Sequence, residues 1–198
     1  MQNLHSRVSL QANHHAGETV QVYGGKVRAF KIPSDGHCLF SALLHQLHLH
    51  GLGGSLPGAP NHAHQVAELR RRVVQYIQDR LGAQRLEWEE CLDVIVEDMP
   101  DMYPSLNEAG EPVPLEQRVE SFLADLAGSA WGGDETLRAF AELEGVSIVV
   151  HNEGTDFPCQ MIQPEDSAIR CGLAVVYRTG LPGTRNHYDS CLCSLPNS

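Results

Sequence analysis

Residues 33–51 read Pro-Ser-Asp-Gly-His-Cys-Leu-Phe-Ser-Ala-Leu-Leu-His-Gln-Leu-His-Leu-His-Gly, and no other stretch constrains the chain as much. The polar turn Ser34-Asp35-Gly36 runs directly into a segment where Leu39, Phe40, Leu43, Leu44 and Leu47 recur at helical spacing, which predicts a deeply packed helix. Gly51, just past that pattern, suits its C-cap. Gly36 suits a strained backbone or the close approach of another chain. Ser34 or Asp35 offers an N-cap oxygen, and with Asp35 as cap Cys38 falls at the third helical position. A thiol there sits among unpaired amides at the positive end of the helix dipole, and both favour the thiolate. The same amides can serve the oxyanion of an acyl transfer. A lone cysteine beside Leu-Phe is equally a small core residue, so the chemistry needs a base.

The chain is long enough for one domain with a substantial core: 198 residues, 42% hydrophobic and 20% charged. A formal net charge of −11 argues against a nucleic-acid binder and against attachment to anionic lipid, and is compatible with a basic protein partner. No apolar run reaches the ~20 residues that cross a bilayer. The polar, His-rich start has no apolar core of a signal peptide, so a cytosolic location is expected, the host's cytosol if the source is a pathogen. Six scattered cysteines fit free thiols in a reducing compartment better than a disulfide framework.

Residues 1–18 read as a flexible tail and residues 19–198 as a single domain. Thr19 to Tyr23 and Lys26 to Ile32 alternate around Gly24-Gly25, a hairpin signal that delivers the chain to the central turn. Helical patterns follow at 65–81, 86–97, 114–126 and 134–145, the last capped by Asp134. Loops are expected at 52–64 and 99–113. Strands are expected at 146–150, 160–163, 172–177 and 186–192, with a Gly/Pro loop at 179–185 before the last. Helices first and strands gathered towards the C-terminus imply an α+β layered domain.

Eleven histidines make a chance pairing with Cys38 easy, so context has to select the base. His45 sits on the central helix, while His14, His15, His48, His50, His62 and His64 fall in polar or helix-end segments and read as solvated. His187 opens a strand, with Asp189 two residues on. Positions i and i+2 of a strand share a face, so the carboxylate can hold the imidazole's tautomer and orientation. Zinc would need clustered ligand pairs, and the chain offers only Cys191-Leu192-Cys193 and His62-Ala63-His64, so no metal or other cofactor is expected.

Asp35-Gly36-His37-Cys38-Leu39-Phe40 together with Asn186-His187-Tyr188-Asp189-Ser190 resembles the ovarian-tumour (OTU) family of cysteine peptidases. Trp131-Gly132-Gly133, followed by Glu135, Leu137 and Ala141, looks like the family's middle motif, and the likeness spans roughly residues 28 to 193. The resemblance implies a papain-like fold, a central, mostly antiparallel sheet packed between helical layers. It also implies a deubiquitinase that hydrolyses the isopeptide bond after the ubiquitin C-terminal Gly-Gly, with Cys38 as nucleophile, His187 as base, Asp189 orienting His187, and Asp35 shaping the oxyanion loop. Gly36 and Trp131 would line the channel for the two-glycine tail, and the loops at 52–64 and 99–113 would face ubiquitin. Ubiquitin or its chains would be the partner of a monomer; another ubiquitin-like modifier, or ubiquitin binding without catalysis, are the alternatives. His37, Ser41 and Ala42 depart from the family's usual residues and place the chain away from its best-known branches.

Overall fold

The computed structural model describes residues 17–83, 86–154, 156–165, 168–179 and 187–194. Nearly all of the expected tail, and the Gly/Pro loop apart from Thr179, lie outside these residues. Strands β1 (Glu18–Val22) and β2 (Gly25–Phe30) form the expected hairpin. Val22 pairs with Gly25, so the turn is Tyr23-Gly24 rather than Gly24-Gly25. Five helices follow: α1 (Cys38–Leu49), α2 (His62–Gly82), α3 (Leu86–Asp98), α4 (Leu115–Gly128) and α5 (Asp134–Glu144). Strands β3 (Ser147–Asn152), β4 (Gln160–Ile162), β5 (Gly172–Arg178) and β6 (His187–Ser194) complete the described elements.

The six strands form one sheet in the order β1-β2-β6-β5-β3-β4, antiparallel throughout except for the β3–β5 pair. This is the mixed, mostly antiparallel architecture expected. Its decisive feature is that the last strand in sequence lies at the centre. β6 runs antiparallel to β2 with Phe30 opposite Ser190. Carried one to three residues further, that register sets Asp189 and His187 beside the chain leaving β2 for α1.

Alternation on β5 feeds two cores. Leu173 and Val175 join the main core under the helices, with Phe40, Trp88, Phe122 and Phe140. Val176 joins Val20, Val22, Val27, Ala29 and Cys191 in a smaller cluster on the other face, to which no helix contributes among the described residues. The sheet curls around that cluster: Val22 bridges to Glu153, and the Gly154 amide donates to the Gln21 carbonyl at 2.8 Å. The helical layers therefore stack on one face, and curvature closes the other.

Helix α1 is enclosed on every side from Cys38 to Leu47. A helix so placed must satisfy its polar side chains internally. Ser41 Oγ bonds His62 Nε2 at 3.1 Å, and His45 Nδ1 bonds Ser190 Oγ at 2.7 Å. Gln46 donates to Ser190 Oγ at 2.7 Å and to the Cys191 carbonyl at 2.6 Å, and accepts from the Ala174 amide at 3.0 Å. Histidines 45 and 62 are thus structural, and His62 is not the solvated residue its polar segment suggested. The helix ends as expected: Gly51 takes φ +67°, the Leu52 amide bonds the Leu47 carbonyl at 2.9 Å, and the Gly51 amide bonds that of His48 at 3.1 Å.

Candidate active site

The site has two halves, built from opposite ends of the chain. The first is the turn between β2 and α1. Asp35 Oδ1 accepts from the His37 amide at 2.9 Å, and Gly36 between them takes φ +83°. The left-handed residue folds the chain back so tightly that the Asp35 carboxylate is used two residues on, inside the turn. His37 is therefore the cap residue, Asp35 caps nothing, and Cys38 is the first helical residue, not the third. The first helical bond runs from the Ser41 amide to the His37 carbonyl at 2.9 Å, and no side chain caps the helix. The amides of the first turn remain as donors at the buried Cys38 thiol, with the dipole behind them.

Arg70 of α2, 1% exposed, holds this turn from behind. Its guanidinium donates to the Gly36 carbonyl at 2.8 Å, to His37 Nδ1 at 3.2 Å, and to the Leu126 and Ala130 carbonyls, each at 2.8 Å. It also lies 4.2 Å from the Phe40 ring centroid. Burial lowers its pKa to about 10, against the opposing pull of Cys38 and Asp35. Sequence reading passed over Arg70 because it sits in the run Arg70-Arg71-Arg72. Its signal was its position, in helical phase with Val66, Leu69, Val73 and Ile77 on the buried face of α2.

The second half is the start of β6. His187 Nε2 meets Asp189 Oδ1 at 3.0 Å, so the strand brings together the two residues expected to share a face. The other nitrogen, Nδ1, lies 3.2 Å from Ser34 Oγ, and Cys38 is near enough to act on the ring's protonation. The bond to Asp189 and then the nearby Cys38 raise His187 to about 9, against its partial burial. Asp189 is 1% exposed. Burial alone would push its carboxyl up, but bonds from His187 and the Ile32 amide (2.7 Å), with the charges of His187 and Arg178, hold it below the usual range. Arg178 Nε donates to Asp189 Oδ2 at 2.6 Å. The imidazole thus stands in contact with the carboxylate and in the neighbourhood of the thiol, an arrangement compatible with a nucleophile, a base and an orienting group. Asp35 has no bond to His187; it holds the turn.

Trp131 is half-buried and lines an apolar cleft of about 520 Å³ with Met99, Met102, Tyr103 and Phe122. The segment before it flanks the turn: Ala130 shares Arg70 with Gly36, and a Cβ on Gly36 would stand 3.7 Å from the Ser129 carbonyl. The glycines after it answer to packing. A Cβ at Gly132 would lie 2.6 Å from Thr136 Oγ1, and one at Gly133 2.7 Å from Glu135 Oε2. Glu135 is itself buried, bonded to the Gly133 amide and Thr136 Oγ1, each at 2.8 Å. Of the residues weighed for zinc, His62 is taken by Ser41 and Ser55, and Cys191 is buried in the smaller cluster.

A profile of the OTU-like cysteine protease family matches residues 33–188. Deubiquitinase OTUD6B of Xenopus laevis is 27% identical over 169 residues, which are 81% of this chain and 44% of that protein. The chain thus spans less than half the length of this relative. Two solved structures share the fold, both with a TM-score of 0.50. The OTU domain of OTUD1 is 20% identical, with 84% of this chain and 85% of that one covered. An ovarian tumor domain in complex with ubiquitin is 14% identical, with 87% and 75% covered. The family match begins at the turn before Cys38 and ends at Tyr188, just past His187 at the start of β6: the chain belongs to the family of OTU-like cysteine proteases.

Proposed function

We propose that this chain is a thiol-dependent deubiquitinase that hydrolyses the isopeptide bond after the C-terminal Gly-Gly of ubiquitin. The observation that carries the reading is that Cys38, at the start of α1, lies near enough to the hydrogen-bonded His187–Asp189 pair of β6 to influence the imidazole's proton. A relative named as a deubiquitinase and a similarly folded domain bound to ubiquitin support the substrate.

The sulfur, its proton held by His187, attacks the isopeptide carbonyl. The first-turn amides of α1 receive the oxyanion. His187 returns the proton to the departing lysine amine as the C–N bond breaks, leaving a thioester on Cys38. A water that gives its proton to His187 then cleaves the thioester, releasing the ubiquitin carboxylate and the thiol. Asp189 holds the imidazole, and Asp35 keeps the turn that aims the amides. Gly36 and Trp131 are proposed as walls of the channel for the Gly-Gly tail. A cytosolic setting is proposed on the ground that the nucleophile has to remain a free thiol.

Ubiquitin carrying a thiol-trapping group at its C-terminus tests the reading. Mixed with the protein, it should form a covalent adduct, seen by intact mass, that Cys38→Ala abolishes. Ubiquitin bound without an adduct would leave a binding module, and neither adduct nor binding would remove ubiquitin as the substrate.

A further inference from the structure

Arg178 closes β5 directly opposite His187, the first residue of β6. Each of its three guanidinium nitrogens serves a different carboxylate: Nε donates to Asp189 at 2.6 Å, Nη2 to Glu18 at 2.9 Å and Nη1 to Glu153 at 3.3 Å. The three contacts differ in kind. The Glu18 and Glu153 side chains are 56% and 38% exposed, and such pairs contribute little. The Asp189 side chain is 1% exposed, so its contact is a short, charge-assisted bond in a dry setting.

The carboxylate of Asp189 is divided. Oδ1 receives both the His187 Nε2 contact and the Ile32 amide, while Oδ2 receives Arg178. Without Arg178 a buried oxygen loses its donor, and only the contacts at Oδ1 are left to oppose rotation of the carboxylate about its last torsion. Glu18, at the start of β1, and Glu153, just after β3, meet only the two outer guanidinium nitrogens, on the exposed side.

We infer that Arg178 is a positioning residue for the reaction: it acts through Asp189, locking the carboxylate so that Oδ1 faces His187, and the triad is in effect an arginine-backed tetrad. This rests on the proposed roles of Cys38, His187 and Asp189.

The test is a double-mutant cycle on the whole chain with two readouts. The first is turnover of a ubiquitin substrate. Arg178→Gln should lower kcat about tenfold, as loss of a group that orients a working side chain from behind commonly does, with KM changed less than about twofold. In an Asp189→Asn background the same change should cost nothing further, because its route is already cut. Glu18→Gln with Glu153→Gln should leave kcat within about twofold. The second readout is the rate of Cys38 alkylation by iodoacetamide at neutral pH, which needs no ubiquitin; Arg178→Gln should slow it to the Asp189→Asn rate. Arg178→Lys, which keeps a charged donor near Asp189, should recover most of the loss and serves if the glutamine variant does not fold. Wild-type alkylation in Arg178→Gln, a tenfold loss persisting on top of Asp189→Asn, or no recovery by lysine would each overturn the inference. Failure to turn over ubiquitin would count against the substrate alone, since the alkylation comparison still reads Arg178.

Discussion

His187 lies between a buried carboxylate and a thiol, and its proton is the most sensitive report of how the site is assembled. The folded chain holds that proton up to about pH 9, whereas an unfolded histidine loses it near 6.5. Between those values the native state binds more protons than the unfolded state, so this contribution falls as pH rises. It is fully present below pH 6.5 and lost by about pH 9. The urea midpoint of the wild type relative to His187→Gln should therefore be largest below pH 6.5 and shrink steadily up to about 9; a gap that does not vary with pH would show that the ring is not held this way. At the same scale, the His187–Asp189 pairing was legible because spacing of two on a strand is a local rule. Arg70 and Arg178 were not. A buried arginine is recognised by the acceptors that surround it, and those of Arg70 (Gly36, His37, Leu126 and Ala130) come from two stretches far apart in the chain, both distant from Arg70 itself.

Among elements, α1 depends on what leans against it. The loop after its C-terminus folds back at Gly54, whose φ is +78°. A Cβ there would stand 2.2 Å from the Leu44 carbonyl oxygen, 2.9 Å from Leu47 Cβ and 3.0 Å from the His48 amide nitrogen. Gly53 also has a positive φ, +94°, but a Cβ would meet nothing within 4 Å. Gly53→Ala should thus cost only the left-handed strain, about 1–2 kcal/mol, while Gly54→Ala adds overpacking of about 1–3 kcal/mol more. Thermal unfolding of the pair tests this, and equal losses would mean that the loop does not dock on α1. Helix and strand positions followed closely from apolar period and glycine punctuation. The clearest boundary error was the start of α2, at His62 rather than Gln65. His62-Ala63-His64 has no apolar period, and the first turn is secured by His62 reaching Ser55 and Ser41, a contact outside the helix itself.

On the scale of the molecule, the site exists because α1 and β6 are fastened together, although Cys38 and His187 are 149 positions apart. Gln46 is the main fastening, with bonds to Ser190, the Cys191 carbonyl and the Ala174 amide. Gln46→Leu keeps the volume but strands buried partners on two strands. It should cost about 2–4 kcal/mol in the urea midpoint and lower turnover as the thiol and imidazole drift apart. Unchanged stability would show that packing alone holds the helix to the sheet. The sequence by itself determined the elements and their order and singled out the candidate groups of the site, because helical period, strand alternation and turn chemistry act within a few residues. Tertiary structure alone decided that β6 enters between β2 and β5, that the helices share one face, that Cys38 opens the helix, and that two arginines back the site. Alternating strands such as these can pair with more than one neighbour, and a buried charge can be placed only after its distant partners have met.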